Sequence, residues 1–162
     1  MKKLLSALLV LVMLLSLPGI GALAASDELT WSLDKKGTLT ISGKGEMPDY
    51  SGDTPPWVKY RDDIKAVVIE EGVTHIGAQC FQFCTKLKSV TIPSSVESIG
   101  DAAFYRCEKL SAVYYGGTAS DWNKIEIERY NKRLTSAELV FSDAETPAPA
   151  SSGKPSAGSK LK

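Results

Sequence analysis

The sequence predicts an α/β-type solenoid that is mostly β, with an N-terminal β-hairpin cap and a divergent C-terminal cap. Three observations carry this reading. A unit of 23 residues occurs twice in the middle of the chain. The columns that match between the two copies are concentrated in the apolar and glycine positions. Each unit has too few inward side chains to fold alone, so neighbours must stack.

The repeats come first. Ile64–Lys86 lies above Leu87–Lys109 as IKAVVIEEGVTHIGAQCFQFCTK over LKSVTIPSSVESIGDAAFYRCEK. The identical pairs include Val67/Val90, Ile69/Ile92, Val73/Val96, Ile76/Ile99, Gly77/Gly100, Phe81/Phe104 and Cys84/Cys107. Val67 and Ile69 alternate with Ala66 and Val68, which reads as a short strand with one buried face. Val90 and Ile92 read the same way. Val73 to Ile76 and Val96 to Ile99 make a second extended piece. Gly77 and Gly100 mark a corner that a Cβ would hinder. Ala78–Phe83 and Asp101–Arg106 read as one or two helical turns, each pointing a Phe inward. Coils stacked at the strand spacing of about 4.8 Å form one apolar column. A third unit starts at Leu110 and diverges at Gly116.

The ends come next. A solenoid ends in apolar faces and unpaired strand edges, so atypical terminal units are expected. Trp31–Leu33 and Thr38–Ser42 read as a hairpin around Asp34-Lys35-Lys36-Gly37. Trp31, Leu33, Leu39 and Ile41 would cover the first coil. Trp122 stands one 23-residue period beyond Ile99 and reads as its replacement in the core.

These residues carry a resemblance. The pattern L-x-x-V-x-I-P-x-x-V-x-x-I-G-x-x-A-F-x-x-C-x-x-L, present at 87–110, resembles the BspA-like leucine-rich repeat family of bacterial surface and secreted proteins. Leu29–Asp34, Gly37–Gly43, Met47–Tyr50 and Pro56-Trp57 are similar to the cap that precedes such repeats. Val113–Thr118, Asp121-Trp122, Ile125, Asn131 and Leu134 resemble their closing unit. The resemblance spans about residues 28–142 and implies a short right-handed superhelix of leucine-rich repeats.

Outside this core, Lys2 and Lys3 precede an apolar run from Leu4 to Leu17, broken by Pro18-Gly19. Ala22-Leu23-Ala24 places small residues at the −3 and −1 positions of a signal peptidase site, so cleavage is expected after Ala24. Residues 144–162 are rich in Pro, Ser, Gly and Lys and read as a disordered tail. The expected organisation is a signal peptide at 1–24, an N-terminal cap at 25–63, and repeats at 64–86 and 87–109. A C-terminal cap at 110–143 and the tail at 144–162 complete it. The whole chain has 19 basic and 19 acidic residues and a pI near 6.6. That balance gives no reason to expect a nucleic-acid partner. No stable membrane insertion is expected once the signal is cleaved.

The chemistry-bearing residues receive structural readings. Cys80, Cys84 and Cys107 fall in small, buried repeat slots, and buried free thiols are favoured over a Cys84–Cys107 bridge. A zinc site from Cys80, Cys84, His75 and Cys107 is disfavoured, because the repeat already explains those columns. His75 falls where Ser98 stands in the next coil and reads as solvent-facing. Asp62, Asp63, Glu70 and Glu71 read as a solvated surface. Gly43-Lys44-Gly45 lacks the length and the following helix of a phosphate loop. Trp57 reads as cap packing rather than a sugar platform. No catalytic residue, metal or cofactor is expected, and the chain reads as non-enzymatic.

One face is the candidate site. Val68, Thr91 and Tyr114 share an outward strand column, flanked by Lys65 and Lys88. By analogy with the family, the reading is a secreted monomer that binds or adheres to an extracellular protein or glycan along this face. The alternative is a structural or accessory exported module with no ligand of its own.

Overall fold

The computed structural model describes residues 21–22, 29–50 and 54–142. The expected cleavage site and the expected tail lie outside the described residues. The elements in chain order are β1 (Gly21–Ala22), β2 (Thr30–Leu33), β3 (Thr38–Ser42) and β4 (Gly45–Glu46), then β5 (Ala66–Ile69), β6 (Val73–Ile76), β7 (Ser89–Ile92) and β8 (Ser98–Ile99). They continue with β9 (Ala112–Tyr115), α1 (Ala119–Trp122), β10 (Glu126–Ile127), α2 (Lys132–Thr135) and β11 (Glu138–Phe141).

Two ladders run along the stack. The larger sheet has the order β1-β2-β3-β5-β7-β9-β11, and the smaller has β10-β8-β6-β4. From β3 onward every pairing is parallel, while β2 and β3 form an antiparallel hairpin. Its turn is tied by Asp34, whose carboxylate accepts from the backbone N–H groups of Lys36 and Thr38. The repeat sets the register: Val67 stands opposite Val90, and Val90 opposite Val113. Alternation within each strand then sends Val67, Ile69, Val90, Ile92, Val113 and Tyr115 into the core. Burying a side chain of this size contributes about 1.5–3 kcal/mol, so the column is the main source of cohesion.

The third side of each coil departs from the sequence reading. Ala78–Phe83 and Asp101–Arg106 form successive tight turns, not helical turns. Gln79, Phe83, Ala102 and Arg106 have φ between 55° and 62°, in the left-handed region. A residue there interrupts a right-handed helix. The gain is a third inter-coil ladder: the N–H groups of Gln79, Phe81 and Phe83 donate to the carbonyls of Asp101, Ala103 and Tyr105. A helix would have turned those bonds back within its own coil. The inward Phe positions do match expectation. Trp57, Phe81 and Phe104 stack with ring centroids 5.6 and 5.2 Å apart.

The corner glycines are explained by close approach. A Cβ on Gly77 would collide with the carbonyl oxygen of Pro48, and one on Gly100 would lie 2.6 Å from the Ala78 nitrogen.

The divergent unit brings a second correction. Trp122 does not occupy the column of Ile76 and Ile99. Ile127 stands opposite Ile99, and Trp122 packs edge-on against Tyr115 at 5.2 Å. The cause is a helical turn that the fixed period did not allow for. Thr118 and Asp121 form a reciprocal capping box around α1, so the chain returns to the column later.

Candidate partner-binding face

The strand registers build the face residue by residue. Val68 pairs with Thr91, Thr91 with Tyr114, and Tyr114 with Val140. All four point away from the core, alternating with buried neighbours in β5, β7 and β9 and with half-buried ones, Leu139 and Phe141, in β11. Tyr114 is 46% exposed and Val140 38%, two of the four exposed large hydrophobics among the described residues. Lys65 and Lys88 are exposed at the ladder's start, stacked by a bond from the Lys88 N–H to the Lys65 carbonyl. The registers thus bring Val68, Thr91 and Tyr114 into one column, with Lys65 and Lys88 adjacent to each other in the loops that lead into β5 and β7. Val140 was missed, because the 23-residue pattern diverges at Gly116. The alternation in Glu138-Leu139-Val140-Phe141 was the signal that could have found it.

His75 is not simply solvent-facing, as the repeat had suggested. Its side chain is 21% exposed and bonded at both nitrogens. Nδ1 lies 2.7 Å from the Ser98 hydroxyl, and Nε2 lies 3.4 Å from an Asp49 carboxylate oxygen. That oxygen also accepts from the Ala78 backbone N–H at 2.6 Å. The Ala78 bond, with help from His75, holds the Asp49 carboxyl below its ordinary value. Sequence missed this because Asp49 comes from the N-terminal segment, outside the repeat. A groove of about 270 Å³ beside it is lined by Glu46, Met47, Pro48, Asp49 and His75. Ser98 does not line that groove; its hydroxyl is bonded to the His75 ring.

The three cysteines are free and buried. Loss of solvation pushes all three thiols up, Cys84 to about 12. Trp57 is buried, and its indole N–H donates to the Cys80 carbonyl at 2.8 Å. Among the described residues, no group of three His, Cys, Asp or Glu side chains could hold a metal ion.

With the ladder and its columns in place, the comparisons with known proteins can be read. The sequence model described as BspA type Leucine rich repeat region (6 copies) matches residues 59–139. The chain belongs to the BspA-type leucine-rich repeat family. Among solved structures it is similar to a leucine-rich repeat protein from Eubacterium ventriosum ATCC 27560. The two share 42% identity with a TM-score of 0.53, over 56% of this chain and 24% of that one. The chain thus spans less than a third of that relative's length. No curated protein matches. In BspA-type terms, the matched stretch holds all four ladder residues except Val140, while the β2–β3 hairpin precedes it.

Proposed function

We propose that this BspA-type protein is a secreted, non-enzymatic binding or adhesion module whose partner, an extracellular protein or glycan, lies on the outward ladder. One observation carries the reading. Val68, Thr91, Tyr114 and Val140 form an unbroken outward column across four parallel strands, ending in two exposed apolar side chains. Repeat proteins bind along such extended faces. The basic start, apolar run and small-residue exit of residues 1–24 support export. In this reading the β2–β3 hairpin and the unit from Gly116 to Phe141 close the two ends of a right-handed superhelix. Burial of Trp31, Leu33, Leu39 and Ile41 at one end supports that role.

The test is an array of matrix proteins and glycans probed with the mature chain and with Tyr114→Ala. Binding by the wild type that falls about tenfold or more in the variant is the expected result. No binding above background, or binding indifferent to Tyr114, defeats the reading.

A further inference from the structure

The edge formed by the tight turns carries a second surface, remote in sequence register from the ladder. Phe83, Tyr105 and Tyr130 line up across successive coils, with centroids 5.8 and 6.2 Å apart in edge-to-face contact. Phe83 is 41% exposed and Tyr130 62%. A guanidinium stands over each ring: Arg61 at 5.7 Å from Phe83, Arg106 at 5.5 Å from Tyr105 and Arg129 at 5.9 Å from Tyr130. A groove of about 440 Å³ opens at the Arg61 end, lined by Val58, Lys59, Arg61, Asp62, Phe83 and Thr85.

The choice of residue is informative. The chain uses Lys for most of its 19 basic positions and has only four Arg, at 61, 106, 129 and 133. Three of the four stand on this stripe. A point charge for solubility does not need Arg. A planar fork that stacks on a ring and grips a carboxylate through two donors does. The neighbouring acids do not use up the forks of Arg106 and Arg129. Arg106 meets Glu108 through one contact at 3.5 Å, and Arg129 stands 3.8 Å from Asp101, beyond hydrogen-bond reach. Exposed pairs of this kind are worth little and exchange readily.

We propose that this stripe is a second binding surface, for an acidic, aromatic-bearing peptide segment of a partner protein laid across the coils. Its carboxylates would meet the Arg61, Arg106 and Arg129 forks, and its apolar side chains would rest against the exposed ring edges and the groove at Arg61. Tyr and Arg are the residue types that dominate protein interfaces. A glycan fits less well. Sugars lie on open ring faces, and here each ring has a guanidinium over it and an edge-to-face contact with the next ring. The surface is separate from the ladder column, so either can fail without the other.

The test is fluorescence anisotropy on the full chain with fluorescein-labelled poly(Glu,Tyr), with poly-Lys, heparin and hyaluronate as comparison probes. The wild type should bind poly(Glu,Tyr) and not poly-Lys. Arg61→Ala/Arg106→Ala/Arg129→Ala should weaken that binding about tenfold or more, with an unchanged circular dichroism spectrum. The triple Lys variant should also bind more weakly, since charge without the fork is not enough. Tyr114→Ala should bind as the wild type does. Absence of poly(Glu,Tyr) binding overturns the proposal, and so does full binding by the triple Lys variant. Binding of heparin or hyaluronate in its place overturns it in favour of a glycan. A loss in Tyr114→Ala equal to that of the triple Ala variant puts the probe on the ladder and overturns it too.

Discussion

The Asn131 side-chain oxygen accepts a hydrogen bond from the backbone N–H of Phe104 at 3.0 Å. One coil earlier, the N–H of Phe81 makes the equivalent bond to a backbone carbonyl, that of Ala103. The side-chain amide of Asn131 therefore takes the place of a backbone carbonyl at this rung, beside the Arg129 carbonyl that accepts from the Ala102 N–H. Its nitrogen donates to the carbonyls of Gly100 and Glu128 at 2.9 and 3.1 Å.

Asn131→Ala should be costly for its size. It leaves the buried Phe104 N–H without a partner, at about 1–3 kcal/mol, and reduces the Gly100 carbonyl to the bond from the Ala103 N–H. Thermal melting should fall by about 5 °C or more. A change within two or three degrees, roughly the effect of an ordinary surface substitution, would show that the amide is not closing the ladder.

Two buried tryptophans should respond differently to the same substitution. The Trp57 N–H is bonded to the Cys80 carbonyl, whereas the Trp31 N–H is buried with no hydrogen-bond partner. Trp57→Phe removes a bond and strands a carbonyl, while Trp31→Phe removes an unsatisfied donor. Both lose ring volume, so the difference isolates the bond. Denaturant melts should place Trp57→Phe about 1 kcal/mol or more below Trp31→Phe in stability. The reverse order would contradict the bonding seen here.

Phe104 and Trp122 make a similar contrast in packing. Phe104 is fully buried within the ring stack, and Phe104→Ala should cost about 3–5 kcal/mol. Trp122 is half-buried against Tyr115, so Trp122→Ala should cost clearly less, despite the larger side chain removed. A loss on Trp122→Ala as large as that on Phe104→Ala would restore the core position that the 23-residue period first suggested.

Acid should weaken the fold through two carboxylates. The bond from the Ala78 N–H, aided by His75, lowers the Asp49 carboxyl, and the Thr118 hydroxyl, with Lys124, holds Asp121 down to about 2. Both folded-state values lie below the ordinary 3.8. A depressed carboxylate contributes stability that is complete above the unfolded value and is lost as pH falls through the folded value. For Asp121 that window runs from about pH 4 down to about pH 2. The Asp49→Asn/Asp121→Asn variant should therefore show a flatter melting curve against pH across that interval. Parallel curves for variant and wild type would remove these two groups from the acid response.

Much of this architecture is readable in the sequence, and the reason is physical. Stacked parallel strands need the same residue type at the same position in every coil, so Val67 and Val90 or Phe81 and Phe104 announce their burial by recurring. What recurrence cannot show is anything made once. Asn131 closes a ladder only at its end, Asp49 reaches His75 from outside the repeat, and the capped turn at Thr118 shifts the register by a length no period encodes. The tight turns were misread for a related reason. Left-handed φ values at Gln79 and Phe83 go with the inter-coil bonds that these residues donate, not with local preference. The ladder face was legible because it alternates with the core. The arginine stripe was not, because its rings come from turns whose outward direction is clear only in three dimensions.

The thiols give the last prediction. Cys80, Cys84 and Cys107 are buried and free, and loss of solvation raises all three, Cys84 to about 12. The thiolate is the reactive form, so at pH 8 neither access nor ionisation favours attack. Ellman's reagent should release almost nothing from the native protein and three equivalents after denaturation. Two equivalents fewer after denaturation would reveal a disulfide, as in the Cys84–Cys107 alternative. Rapid release from the native protein would mean that the coil opens around its cysteine column far more often than this packing allows.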